Sequence, residues 1–205
     1  MQNTDGLDNT DQQASLILKT GEVFSGFSAF SEFQAQNTQA GEVVFNTGMV
    51  GYTETLTDPS YKGQIVCFTY PLMGNYGVDD KSTWESDKIQ AAGVIVSSLC
   101  DKPNRHFSQA SLKEWCQEHS VPLLYGIDTR ALTKVIREHG AIPGVITNSI
   151  KNTHNDNKLN KSELNQLAFI DINQQDLVKQ ACVNEPKLIR KGKYKVIVVD
   201  CGIKQ

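Results

Sequence analysis

The chain has 205 residues, of which 39% are hydrophobic and 21% charged. That is ordinary globular usage, and it excludes the polar, highly charged composition of a disordered polypeptide. Twenty basic against 23 acidic residues leave a net charge of −3, too even a balance for a nucleic-acid or polyanion binder. No apolar run approaches the roughly 20 residues that cross a bilayer. The segment Met1–Asp8 lacks the basic and apolar regions of a signal peptide, and no Lys or Arg precedes Lys19, as a mitochondrial presequence would require. A cytosolic protein is expected, with one large domain or one domain and the start of a second. A chain of this size buries roughly 70% of its unfolded surface and needs no disulfide or metal to hold a core.

In chain order, residues 1–14 are polar and read as a flexible tail. Leu16-Ile17-Leu18, a Thr20-Gly21 turn and Val23-Phe24 then predict a hairpin. Short apolar runs rich in β-branched residues follow at 43–45, 65–70, 93–97 and 122–125, most of them separated by Gly, Pro, Asn or Asp. Two helices stand out. One begins at Ser111, which forms a capping-box pair with Glu114, and it buries Leu112, Trp115 and Cys116 on one face. The other begins at Asp128 or Thr129, carries Leu132, Val135 and Ile136 as its stripe, and ends at Gly140. Strands interleaved with amphipathic helices indicate an α/β domain over residues 15–150.

After Ser149 the character changes. Residues 151–165 are polar and read as an exposed insertion, with weak helices expected at 162–169 and 174–182. Lys187–Lys195 holds five positive charges in nine residues, read as a solvated linker, so that 151–194 is insertion and linker. Val196-Ile-Val-Val-Asp200-Cys-Gly202 reads as the first buried strand of a doubly wound α/β domain. Residues 195–205 are therefore expected to be the truncated start of a second domain.

Five cysteines, Cys67, Cys100, Cys116, Cys182 and Cys201, are an odd number without a C-x2-C pair, and are expected to be reduced thiols, most of them buried. His106, His119, His139 and His154 lack ligand spacing, so no structural metal is expected. The densest unusual stretch is Gly41–Glu54, continuing through Thr57-Asp-Pro-Ser-Tyr61-Lys-Gly-Gln64 to Pro71-Leu-Met-Gly-Asn75-Tyr-Gly77. Glycines at 48, 51, 63, 74 and 77 break it into strands, and Thr57-Asp58-Pro59-Ser60 is a strong turn. Most of these residues read as tight turns; a small polar ligand or a partner's backbone could also lie against such a surface. No G-x-S-x-G, P-loop or G-x-G-x-x-G is present, and nothing here marks a nucleophile.

These motifs, with Gly126-Ile-Asp-Thr-Arg130-Ala-Leu-Thr133 and Val199-Asp-Cys-Gly-Ile-Lys204, resemble in order and spacing the small, glutamine-hydrolysing part of carbamoyl-phosphate synthase, from about Ser15 to Gln205. The Val-Asp-Cys-Gly-Ile-Lys form is similar to versions in which glutaminase and synthetase parts are fused, as in pyrimidine-pathway proteins. The resemblance implies a three-layer β/β/α swivelling-type domain followed by the first strand of a truncated class I glutamine amidotransferase domain. It implies a Cys-His-Glu triad in that second domain and ammonia passed to a synthetase part that makes carbamoyl phosphate from bicarbonate with ATP and magnesium, in arginine or pyrimidine biosynthesis. The partners implied are the synthetase subunit or domain, the amidotransferase domain and L-glutamine, with no cofactor on this chain, no nucleic acid and no membrane. By the same resemblance Ser60 contacts the substrate glutamine. A hydroxyl can donate to a carboxylate or accept from an ammonium, and a turn after Pro59 holds it with little freedom to lose. No catalytic residue is expected in the chain, because Cys201 has no glycine-flanked elbow and no base near it in sequence. Asp128 reads as a helix cap, and Arg130 as either the partner of an ion pair or an interface residue. A module that keeps the fold and only scaffolds other proteins is the competing reading.

Overall fold

In a computed structural model, which describes residues 12–30, 38–104, 108–148 and 158–204, seven strands close into one hydrogen-bonded circuit. Gln12–Leu18 (β1) and Val23–Ser28 (β2) form the expected hairpin, with Gly21 at φ 105° in its turn. Gln39–Asn46 (β3), Gln64–Phe68 (β4), Gly93–Ile95 (β5) and Leu123–Tyr125 (β6) are mutually parallel neighbours. Ile142–Thr147 (β7) lies antiparallel between β1 and β3, and β2 pairs antiparallel with β6, which completes the ring. The helices are Tyr52–Thr57 (α1), Leu112–Glu118 (α2), Thr129–His139 (α3), Lys161–Leu164 (α4) and Leu177–Ala181 (α5). None of the described helices is long and apolar enough to cross a membrane.

The strands are buried on both faces because their alternate side chains feed different cores. On β4, Ile65 and Cys67 join Leu16, Leu18, Val43, Ile95, Leu124 and Ile146 in one cluster, which Leu132 and Ile136 of α3 complete. Val66 and Phe68 point the other way and pack with Tyr52 and Leu56 of α1 and with Leu112, Trp115 and Cys116 of α2. Ile17 and Val23 face a third cluster closed by Leu159, Leu164, Leu167 and Phe169. Burial pushes the Cys67 thiol up to about 12, offset in part by a hydrogen bond with Thr133, and burial raises Cys116 as well. Both are thus inert apolar groups; Cys100 and Cys182 are partly exposed and Cys201 is exposed.

The α/β class and both capped helices are as the sequence indicates. Ser111 and Glu114 form the full capping box, Asp128 accepts from Ala131 N–H, and Gly140 ends α3. Several readings need correction. β1 starts at Gln12 with Ala14 already buried, so residues 12–14 belong to the sheet and only 1–11 of the expected tail fall outside the described residues. Leu159 is buried against β1 and β2, so part of the expected insertion completes a core; residues 151–157, like His106 and His154, lie outside the described residues. Val196, Ile197, Val198 and Val199 are 63–84% exposed and form no strand. The strand expected there would open a second domain, so its partners would not be the strands of this ring. Lys187–Lys195 is exposed throughout, as a solvated run should be.

β7 was not legible, because Pro143 and Gly144 interrupt its apolar pattern. Pro143 still contributes its carbonyl, accepting from Lys19 N–H at 2.9 Å. Gly144 is there for closeness: a Cβ would lie 2.4 Å from Val43 Cγ2 and 3.2 Å from Leu16 Cδ1. Gly144→Ala is expected to cost about 1–3 kcal/mol in chemical denaturation, and to be less than additive with Val43→Ala, which vacates the clashing space. An unchanged denaturation midpoint would refute this account of the closure.

Candidate functional site around the Asp58–Tyr61 turn

Thr57, Asp58 and Pro59 are buried and Ser60 is exposed at the tip of the turn that returns the chain from α1 to β4. α1 begins at Gly51 in the left-handed region (φ 81°) and ends where Asp58 turns extended. A single 3-10 turn, Pro59–Tyr61, follows. The sequence hides α1, since Tyr and Thr favour strands and no side chain caps its start. Thr57 anchors the turn from below: its hydroxyl donates to Thr53 O at 2.8 Å and accepts from Glu85 N–H at 2.9 Å, and its carbonyl accepts from Ser86 Oγ. Asn46, at the end of β3, donates to Tyr61 Oη at 3.3 Å. The Gly74–Gly77 loop braces the start of α1. Tyr76 Oη accepts from Gly51 N–H at 2.7 Å, Tyr52 Oη donates to Gly77 O at 2.5 Å, and the two rings stack at 4.3 Å. Asn75 and Gly77 therefore sit in a turn packed against α1.

Asp58 is the hub of the site. One carboxylate oxygen accepts from Ser60 N–H at 2.9 Å, which fixes the backbone that carries the Ser60 hydroxyl. The other meets Lys204 Nζ at 2.6 Å. Burial acts to raise the Asp58 carboxyl, but Lys204 and the Ser60 donors outweigh it and hold the group below the usual carboxylate range. Lys204 is raised in turn by Asp58. The segment bearing Lys204 has its own organiser. Asp200 accepts from Gly202, Ile203 and Val183 N–H at 2.7–2.8 Å, and its carbonyl is 3.0 Å from Cys182 Sγ. Gly202 (φ 99°) then lies against Pro59 and Ala181, 3.4–3.5 Å from where its Cβ would be.

Two motifs singled out in the sequence, 57–61 and 199–204, are thus brought together across some 140 positions. Asp58, Asp200 and Lys204 were not among the predicted site residues. The Asp-x-Ser spacing signals a local cap, but the pairing of Asp58 with Lys204 is purely tertiary. Arg130 is exposed on the first turn of α3 and has no ion pair among the described residues. Cys201 is exposed and has no hydrogen bond to a described residue. Among the described residues no group of His, Cys, Asp and Glu could hold a metal.

The family profile described as carbamoyl-phosphate synthase small chain, CPSase domain, matches residues 16–146. The chain belongs to that family. The arginine-specific small chain of carbamoyl phosphate synthase from Halalkalibacterium halodurans is 40% identical over 193 residues, covering 94% of this chain and 49% of the relative. Multifunctional protein URA2 of Saccharomyces cerevisiae is 40% identical over 194 residues, 87% of this chain and 8% of the relative. The rat mitochondrial carbamoyl-phosphate synthase [ammonia] is 38% identical over 203 residues, 94% and 12% respectively. The chain therefore spans about half of a small chain and a minor part of the larger proteins.

Asp58 and Asp200 are both held below the ordinary carboxylate range, Asp200 by the amides of Ile203, Val183 and Gly202. A depressed carboxyl stabilises the fold above its unfolded value near 4, and that contribution is lost as pH falls through the folded value. Amide exchange of residues 200–204, corrected for intrinsic rates, is expected to accelerate relative to β4 between about pH 5 and pH 2. In Asp58→Asn it should be fast already at neutral pH. Equal protection at both ends of that range would refute the latch. The pair itself adds little net stability, since Lys204 is half exposed.

Proposed function

We propose that the chain is the N-terminal part of a glutamine-dependent carbamoyl-phosphate synthase, a wall of the glutamine site and a docking face for the synthetase part, with no bond-making residue of its own. The observation that carries this reading is the Asp58 hub: a pinned backbone presents an exposed Ser60 hydroxyl beside Val199–Lys204, the segment that leads toward an amidotransferase domain. In such an enzyme the thiol that attacks the glutamine amide would come from that next domain. Ser60 would hold the amino acid by its carboxylate or ammonium while the reaction proceeds. ATP and magnesium belong to the synthetase part. Reading the closed ring as a swivelling-type β/β/α domain belongs to the same proposal.

In the complete enzyme, Ser60→Ala is expected to raise the KM for glutamine by roughly 5- to 150-fold, the worth of about one to three kcal/mol of lost hydrogen bonding. Synthesis driven by added ammonia should be unchanged. The isolated chain should release no glutamate from glutamine above a Ser60→Ala/Cys201→Ala control.

A second reading, a scaffold that docks but contacts no glutamine, is favoured by one observation: the rat relative, matched over nearly the whole chain, is named for ammonia. The two readings part cleanly. If Ser60→Ala leaves the KM for glutamine unmoved while Arg130→Ala weakens assembly without lowering the melting temperature, the scaffold reading holds and the glutamine reading fails.

A further inference from the structure

A helix leaves its last carbonyls without partners of its own, and α1 ends immediately before the turn that carries Ser60. Two of those carbonyls are answered by a segment from elsewhere in the chain, residues 84–91. Leu56 O accepts from Gln90 N–H at 2.8 Å. Thr57, which is wholly buried, accepts at its carbonyl from Ser86 Oγ at 2.5 Å and at its hydroxyl from Glu85 N–H at 2.9 Å. The segment is itself firmly seated. Trp84 is buried and packs on Trp115 of α2 with ring centroids 5.0 Å apart, and Ile89 and Ala91 enter the same core. Ser86 is only half-buried, but its hydroxyl is oriented by a donor: Gln90 Nε2 gives it a hydrogen bond at 2.9 Å. The hydroxyl's one proton then goes to Thr57 O, which is nearer than Lys88 O at 3.1 Å. Asp58 fixes the shape of the turn through Ser60 N–H, while Glu85 and Ser86 fix where its base sits.

We infer that Ser86 is a positioning residue for the Ser60 hydroxyl, acting through the buried carbonyl of Thr57. Ser86 touches no substrate; it holds the base of the turn in the place from which Ser60 meets glutamine, and the inference rests on that reading of Ser60. Without the Ser86 hydroxyl, Thr57 O loses its donor while still buried, and the turn gains by shifting toward water. Such a shift carries Ser60 with it, and a displacement of about 1 Å is enough to spoil a contact set by hydrogen-bond geometry.

In the complete enzyme, Ser86→Ala is expected to raise the KM for glutamine by roughly 3- to 10-fold. Both kcat and synthesis driven by added ammonia should be unchanged, as for a loss of binding alone. Ser86→Thr, which keeps the hydroxyl, should restore the parent's KM. Ser86→Cys, whose thiol is a weak donor, gives a smaller rise and serves where the alanine variant folds poorly. In Ser60→Ala/Ser86→Ala the KM should equal that of Ser60→Ala, because Ser86 acts only through Ser60. An unchanged KM in both Ser86→Ala and Ser86→Cys, with or without a lower melting temperature, overturns the inference; where Ser60→Ala still raises the KM, the glutamine reading survives it. An additive rise in the double variant also overturns it. If Ser60→Ala itself leaves the KM unmoved, the glutamine reading fails and the role of Ser86 falls with it.

Discussion

Parallel strands cannot be joined by a tight turn, and the chain around β3 and β4 is built on that constraint. After β3 ends at Asn46 the polypeptide must travel back along the barrel before β4 can begin at Gln64 beside it. It does so through α1 and the turn at Pro59–Tyr61. The return places Asp58 and Ser60 at the opposite end of the sheet from Asn46's loop, where the chain after α5 passes over the same edge. The exposed hydroxyl, the buried carboxylate and the lysine that meets it are therefore consequences of a topological requirement.

The site is held by local polarity more than by apolar packing. Asp58 and Asp200 each organise a short stretch of backbone by accepting amide hydrogens, and Lys204 joins one stretch to the other. Such contacts fix geometry while adding little net stability at a half-exposed position. The barrel beneath is different. There, close-packed Val43, Leu16 and Gly144 draw β3, β1 and β7 together, and the three clusters leave almost no strand residue in water.

Motif resemblance and family membership agree, and the chain spans about half of a small chain and a minor part of the longer relatives. Relatives of similar identity range from arginine-specific small chains to multifunctional polypeptides. The same fold has therefore been kept in proteins of quite different length.

The sequence by itself determined whatever depends on neighbours a few residues apart. The hairpin at Gly21, the Ser111–Glu114 box, the Asp128 cap and the Asp58-Pro59-Ser60 turn were all legible, because caps and turns are satisfied by side chains within three positions. Tertiary structure alone decided the rest. Pro143 and Gly144 made β7 look like a loop, and only the two strands flanking it supply hydrogen bonds enough to hold it extended. Val196–Val199 carries a strand's pattern but pairs with no described strand. Asp58 met Lys204 because the tertiary fold brings distant residues to the same rim, and no local pattern records that distance.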